Sequence, residues 1–177
     1  MGVASFNTFS DSSNTAVRAF LTKVGGFYNE GKKFDTTNGI GKVIWKKIKE
    51  DFDNSCGYCD SKTENLTMEH LVMMNRYEYG LHHPGNVMPC CKDCNKRLRD
   101  KNKKMISWKN HLKKISGKNF EKKLKKIEKH MEQYRYPCLS EVETKAIKVI
   151  AESLYQNITL EGNKAYGIYL ELRKEFL

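Results

Sequence analysis

Two Cys-x-x-Cys pairs, Cys56-Gly57-Tyr58-Cys59 and Cys91-Lys92-Asp93-Cys94, carry the most specific chemistry in this sequence. Each such turn presents two thiolates to one ion, and two turns complete the tetrahedron that zinc takes in structural sites. Cys56, Cys59, Cys91 and Cys94 are therefore the expected ligands of one structural Zn²⁺. Cys90 competes with Cys91, but it leaves three residues before Cys94 and matches the first pair less well; Cys138 is remote. The pairs lie 31 residues apart, longer than the roughly 15–20 of a common zinc-ribbon spacing, which suggests that something else is built between them. That insert holds Glu69-His70 and Asn86, and Asn95 follows the last cysteine. A carboxylate, an imidazole and an amide held on a thiolate clamp suit a second, harder cation and the activation of water.

Composition narrows the setting. Five of the six cysteines lie between positions 56 and 94, a clustering that favours metal over disulfides. The net charge is +11, and residues 92–135 alone hold 17 Lys and Arg against 5 Asp and Glu. With a sequence pI near 9.3, this is the electrostatic footprint of a nucleic-acid binder; the plainer reading is a solvated basic face. No apolar run is long enough to span a membrane, and Met1–Phe6 lacks the basic-then-apolar order of a signal peptide, so a cytoplasmic chain is expected.

The positioning elements read as mostly helical. Residues 1–14 form a polar tail or loop, and Ser13-Asn14-Thr15 caps a short helix to about Lys23, ended by Gly25-Gly26. A helix from Gly41 to Phe52 leads to the first cysteine pair. Short strands are expected around Thr67–Met74 and Asn86–Pro89, and a helix is expected to begin at Asn95. Helices at 103–115 and 118–135 follow, the second crowded with Lys122, Lys123, Lys125, Lys126 and Lys129. After Pro137, Ser140-Glu141-Val142-Glu143 resembles a capping box. It opens a helix that Gly162 interrupts, and a last helix runs from Ala165 to Phe176.

In order and spacing, Cys-x-x-Cys, Glu69-His70, Asn86, Cys-x-x-Cys, Asn95 resembles the HNH endonucleases, over about Trp45 to Arg99. The resemblance implies an α+β fold: a mostly helical chain around a small zinc-pinned ββα-metal core. It implies His70 as general base, Glu69 and Asn95 as ligands of a catalytic Mg²⁺ or similar divalent cation, and Asn86 as the residue that braces the hairpin loop. Two departures stand out: Glu69 replaces the more frequent Asp or His, and no proline follows in Leu71-Val72-Met73-Met74. Lys96, Arg97 and Arg99 are the expected phosphate contacts, and His82 and His83 are possible substrate contacts.

Four segments follow: an N-terminal extension (1–42), the nuclease core with its knuckles (43–100), a basic helical DNA-binding segment (101–136) and a C-terminal helical pair (137–177) suited to dimerisation. The expected function is a site-specific restriction endonuclease that acts on double-stranded DNA as a homodimer and leaves 5′-phosphate ends. The rivals are a homing or phage-type HNH nicking nuclease and a non-catalytic zinc-ribbon DNA-binding protein.

Overall fold

The computed structural model describes residues 8–176. Of the expected N-terminal tail, residues 1–7 lie outside them. The chain is α+β and mostly helical: α1 (Phe9–Tyr28), α2 (Gly39–Asp51), β1 (Thr67–His70), β2 (Val87–Cys90), α3 (Trp108–Ser116), α4 (Phe120–Gln133) and α5 (Glu141–Phe176). No helix among the described residues is long and apolar enough to cross a membrane.

α1 starts earlier and ends later than local signals suggest. Its cap is Thr8, whose hydroxyl accepts from Asp11 N while the Asp11 carboxylate accepts from Thr8 N, a reciprocal capping box. Ser13, Val17, Leu21 and Gly25 recur at steps of four and form its buried row. The helix continues through Gly25-Gly26, and at Gly25 a tertiary contact explains the glycine. A Cβ there would stand 2.3 Å from the His82 carbonyl oxygen, so only glycine lets the 81–83 backbone lie against α1.

α1 packs along α5, and the two enclose a cluster of Val17, Leu21, Leu81, Ile147 and Ala151. Burying a leucine such as Leu21 contributes about 1.5–3 kcal/mol. α5 opens on the expected capping box, with Ser140 N and Oγ donating to Glu143 Oε2 and Glu143 N donating to Ser140 Oγ. The expected break at Gly162 is absent: α5 is one 36-residue helix. Gly162 instead lets the Phe9 ring approach, because a Cβ there would meet it at 2.4 Å.

The second cluster holds the knuckles. Ile48 from α2 and Phe52 just after it, Tyr58, Leu71, Val87 and Met88, Trp108 and Leu112 from α3, and Ile127 from α4 close around Cys56, Cys90 and Cys94. β1 and β2 pair antiparallel, with Thr67 opposite Cys90 and His70 opposite Val87. Strand alternation turns Thr67 and Glu69 to one face of β1 and Met68 and His70 to the other. From α4, His130 Nε2 donates to Val87 O at 2.8 Å, and the buried Lys123 donates to Tyr58 O and pairs with Asp60. Part of the basic segment is therefore structural.

The helix expected from Asn95 does not form. Residues 95–107 are turn and irregular backbone, with a single bridge between Arg99 and Met105, and regular helix resumes at Trp108. Asp100 organises that turn, its Oδ1 accepting from Asn102 N and Lys104 N.

Candidate metal centre and the His70 cleft

Each cysteine pair is folded into a tight knuckle by backbone hydrogen bonds. Asp60 N donates to Cys56 O at 2.9 Å, Asn95 N donates to Cys91 O at 3.0 Å, and Gly57 N reaches across to Pro89 O. The sulfurs of Cys56, Cys59, Cys91 and Cys94 all lie within 4.8 Å of one another. A tetrahedron with Zn–S of about 2.3 Å needs sulfurs about 3.8 Å apart, and Cys59 and Cys91 stand at 3.8 Å. The four thiols could hold a zinc ion. Cys90 lies outside that set. Its sulfur accepts from Cys56 Sγ at 3.9 Å, and its own hydrogen goes to Cys91 O at 3.4 Å.

Asn86 is fully buried and uses its whole amide. Oδ1 accepts from Val72 N, and Nδ2 donates to Val72 O and Leu81 O, all at 2.8 Å. These three bonds, with Leu71 N donating to Asn86 O, tie both ends of the 71–86 loop together. His83 sits in the same loop, buried, with Nδ1 accepting from Gly85 N. It packs against Tyr136 and does not face solvent.

Glu69 and Arg97 form a buried ion pair, which corrects the expectation that Arg97 is an exposed phosphate contact. The Arg97 guanidinium donates to Glu69 Oε1 and to the carbonyls of His70 and Leu71, and its side chain is only 2% exposed. Tyr58 Oη also donates to Glu69 Oε1, at 3.3 Å. Burial pushes the Glu69 carboxyl above the usual carboxylate range, and Arg97 opposes that shift. Lys96 and Arg99 remain on the surface, with Arg99 Nη1 donating to Lys103 O.

Asn95 reaches the same face of β1 as Glu69, from a turn rather than from a helix. Thr67 Oγ1 gives its one hydrogen to Cys90 O, so it accepts from Asn95 Nδ2 at 2.8 Å. That fixes the amide and leaves Asn95 Oδ1 without a donor among the described residues, as is Glu69 Oε2. Both are hard oxygen donors of the kind Mg²⁺ takes. The fit is partial, since Arg97 already neutralises the carboxylate.

His70, at the end of β1, faces the other way. It lines an open cleft of about 300 Å³ with Thr22, Lys33, Phe34, Asp35, Thr36, Met74 and His82. Its Nε2 stands 3.0 Å from His82 Nδ1, and His82 Nε2 stands 2.9 Å from Phe34 O. Desolvation first, then the positive charges of Arg18 and Arg97 and the neighbouring His82 ring, which disfavour a second charge here, push His70 down to about 3. The imidazole is therefore neutral at neutral pH. Sequence reasoning named His82 without its partner. Phe34 contributes a backbone carbonyl, and no side-chain signature marks such a group; Arg18 lies far away in the chain.

Comparison with protein-family models, with characterised proteins and with solved structures gives no match.

Proposed function

We propose that this protein is a metal-dependent endonuclease of the HNH type acting on double-stranded DNA. The observation that carries the reading is the placement of His70: a neutral imidazole at a strand end, facing an open cleft, one residue from Glu69 and next to a braced loop. In this reading His70 takes the proton from an attacking water held in the cleft. Asn86 keeps the loop in register, and the four cysteines fix β2 and the Asn95 turn relative to β1. Glu69 Oε2 and Asn95 Oδ1, on the opposite face of β1 from His70, would hold a divalent cation, whose charge would reach the phosphate that His70 serves only around the end of the strand. Lys96, Arg99 and the exposed Lys122, Lys125 and Lys129 track the DNA backbone and add salt-dependent affinity.

The finer expectation is a restriction enzyme that cuts both strands at one short palindrome and leaves 5′-phosphate ends. Two symmetric cuts call for two copies of the site, hence a homodimer. The end of α5 is the proposed contact, since Tyr166, Ile168, Tyr169, Leu172 and Phe176 are all exposed there.

A second reading has its own support. Glu69 locked to Arg97 is what a zinc-pinned DNA-binding protein without catalysis would tolerate. Digestion of a mixed plasmid library with Mg²⁺, followed by end sequencing, separates the readings. Double-strand cuts at one recurring short palindrome, lost in His70→Ala, support the restriction enzyme; nicks or long sites support the nicking nuclease. DNA binding without any cleavage by the wild-type protein sinks the nuclease reading.

A further inference from the structure

The contacts around His82 fix where its hydrogen lies. Phe34 O is a carbonyl and can only accept, so the 2.9 Å contact requires a hydrogen on His82 Nε2. A neutral His82 then has a bare Nδ1, and the 3.0 Å contact requires His70 Nε2 to donate to it. With Nε2 carrying the hydrogen, a neutral His70 ring has its lone pair on the remaining nitrogen, Nδ1. No described residue bonds to that nitrogen. The order is fixed from one end: Phe34 carbonyl, His82, His70, free lone pair.

The anchor is rigid at both ends. The His82 backbone lies against Gly25 of α1 with no room for a Cβ between them. The Phe34 side chain is buried in the knuckle cluster, and its ring packs against the His82 ring at 5.2 Å. The two imidazoles stand 5.3 Å apart at 45°. Asp35, Lys33 and Thr36 from the 33–36 loop, Thr22 of α1 and Met74 line the same cleft.

We infer that His82 is a positioning residue: held by the Phe34 carbonyl, it sets the tautomer and ring orientation of His70. This rests on the nuclease reading for its consequence, but not for its geometry. A base whose proton-accepting nitrogen is preset loses no time in the wrong tautomer, and misorientation by about 1 Å costs on the order of 10²-fold in rate.

Two substitutions separate the bonds. In His82→Asn the amide oxygen falls where Nδ1 was and still accepts from His70. In His82→Gln the amide nitrogen falls where Nε2 was and still donates to Phe34 O, but nothing accepts from His70. Side-chain ¹⁵N NMR reads the tautomers directly, with circular dichroism to verify folding. The expected result is an Nε2–H tautomer for His70 in wild type and His82→Asn, and a mixture in His82→Gln and His82→Ala. Cleavage by His82→Gln and His82→Ala should fall about 10²-fold in kcat at little-changed KM, with His82→Asn restoring most of it. A wild-type His70 protonated on Nδ1, or folded His82→Ala with an unchanged His70 tautomer or full cleavage, overturns the proposal. If the wild type does not cleave DNA but His82→Ala still scrambles the His70 tautomer, the nuclease reading fails and the positioning role stands.

Discussion

Asn86→Ala tests how the loop carrying His82 is held. The substitution removes three hydrogen bonds of 2.8 Å, to Val72 N, Val72 O and Leu81 O. A net value of about 1 kcal/mol each gives about 3 kcal/mol. Because Asn86 is fully buried, water does not readily replace the lost partners, and the penalty for unsatisfied groups raises the loss to about 3–5 kcal/mol. That is a large share of the roughly 5–15 kcal/mol by which a domain is stable. At about 2–4 °C per kcal/mol for a chain of this size, Tm should fall by about 6–20 °C. The assay is thermal and urea unfolding at a fixed excess of zinc, since ligand concentration itself shifts stability. Asn86→Asp sharpens it: the acceptor for Val72 N survives, but a carboxylate faces two carbonyls, so the loss at neutral pH should be at least as large. A cost below about 1 kcal/mol for Asn86→Ala would show that the loop is held by something else.

Other expectations concern different parts of the molecule. Arg97→Met leaves the buried Glu69 carboxylate unpaired and should cost about 3–5 kcal/mol, with much of it recovered in the double variant with Glu69→Gln; Lys96→Ala should leave the unfolding free energy within about 0.5 kcal/mol of wild type. Equal, small effects of the two single variants in urea unfolding would mean that Arg97 is no more embedded than Lys96. Removal of zinc by a chelator should unfold the knuckle region and release one zinc per chain, read by native mass spectrometry and circular dichroism, because metal binding to such a site is folding free energy; an unchanged melt after complete chelation contradicts this. For pH, burial pushes His83 down to about 4, against about 6.5 when unfolded. The unfolded chain therefore binds the proton first. The stability from neutral His83 is complete above about pH 6.5, declines as pH falls, and is gone below about 4, a loss of about 3 kcal/mol. Urea midpoints measured from pH 7 to 4 should drop accordingly, and His83→Asn, which keeps an acceptor for Gly85 N, should flatten the slope.

The knuckles, the two short strands and most helices were legible because their signals are local: paired cysteines, alternation, and apolar rows at steps of three and four. What local pattern could not supply was partner choice. Asn95-Lys96-Arg97-Leu98-Arg99 contains good helix formers, yet Arg97 has to turn inward to Glu69, and Asp100 holds the following backbone in a turn. The Asp100-Lys101-Asn102-Lys103 run was the available clue. Gly25-Gly26 and Gly162 read as helix ends because glycine costs about 1 kcal/mol inside a helix. Gly25 and Gly162 lie inside helices because neighbouring chain comes too close for a Cβ. Among the candidate site residues, Glu69, His70, Asn86 and Asn95 were picked out by their order and spacing. The alternation of β1 that separates Glu69 from His70 follows from the same four residues, but the ion pair that occupies Glu69 does not.

The pairing of α1 with α5 also sets a schedule for synthesis. More than a hundred residues lie between Tyr28 and Glu141. At about 5–20 residues per second, α1 emerges from the ribosome some 5–20 s before the helix that covers it. During that interval the side of the Val17 and Leu21 stripe that meets Ile147 and Ala151 is bare, while the cysteine segment and α3–α4 can already pack together. Slow translation or zinc shortage should therefore act at different stages of biogenesis, the first prolonging exposure of α1 and the second stalling the centre before α5 arrives.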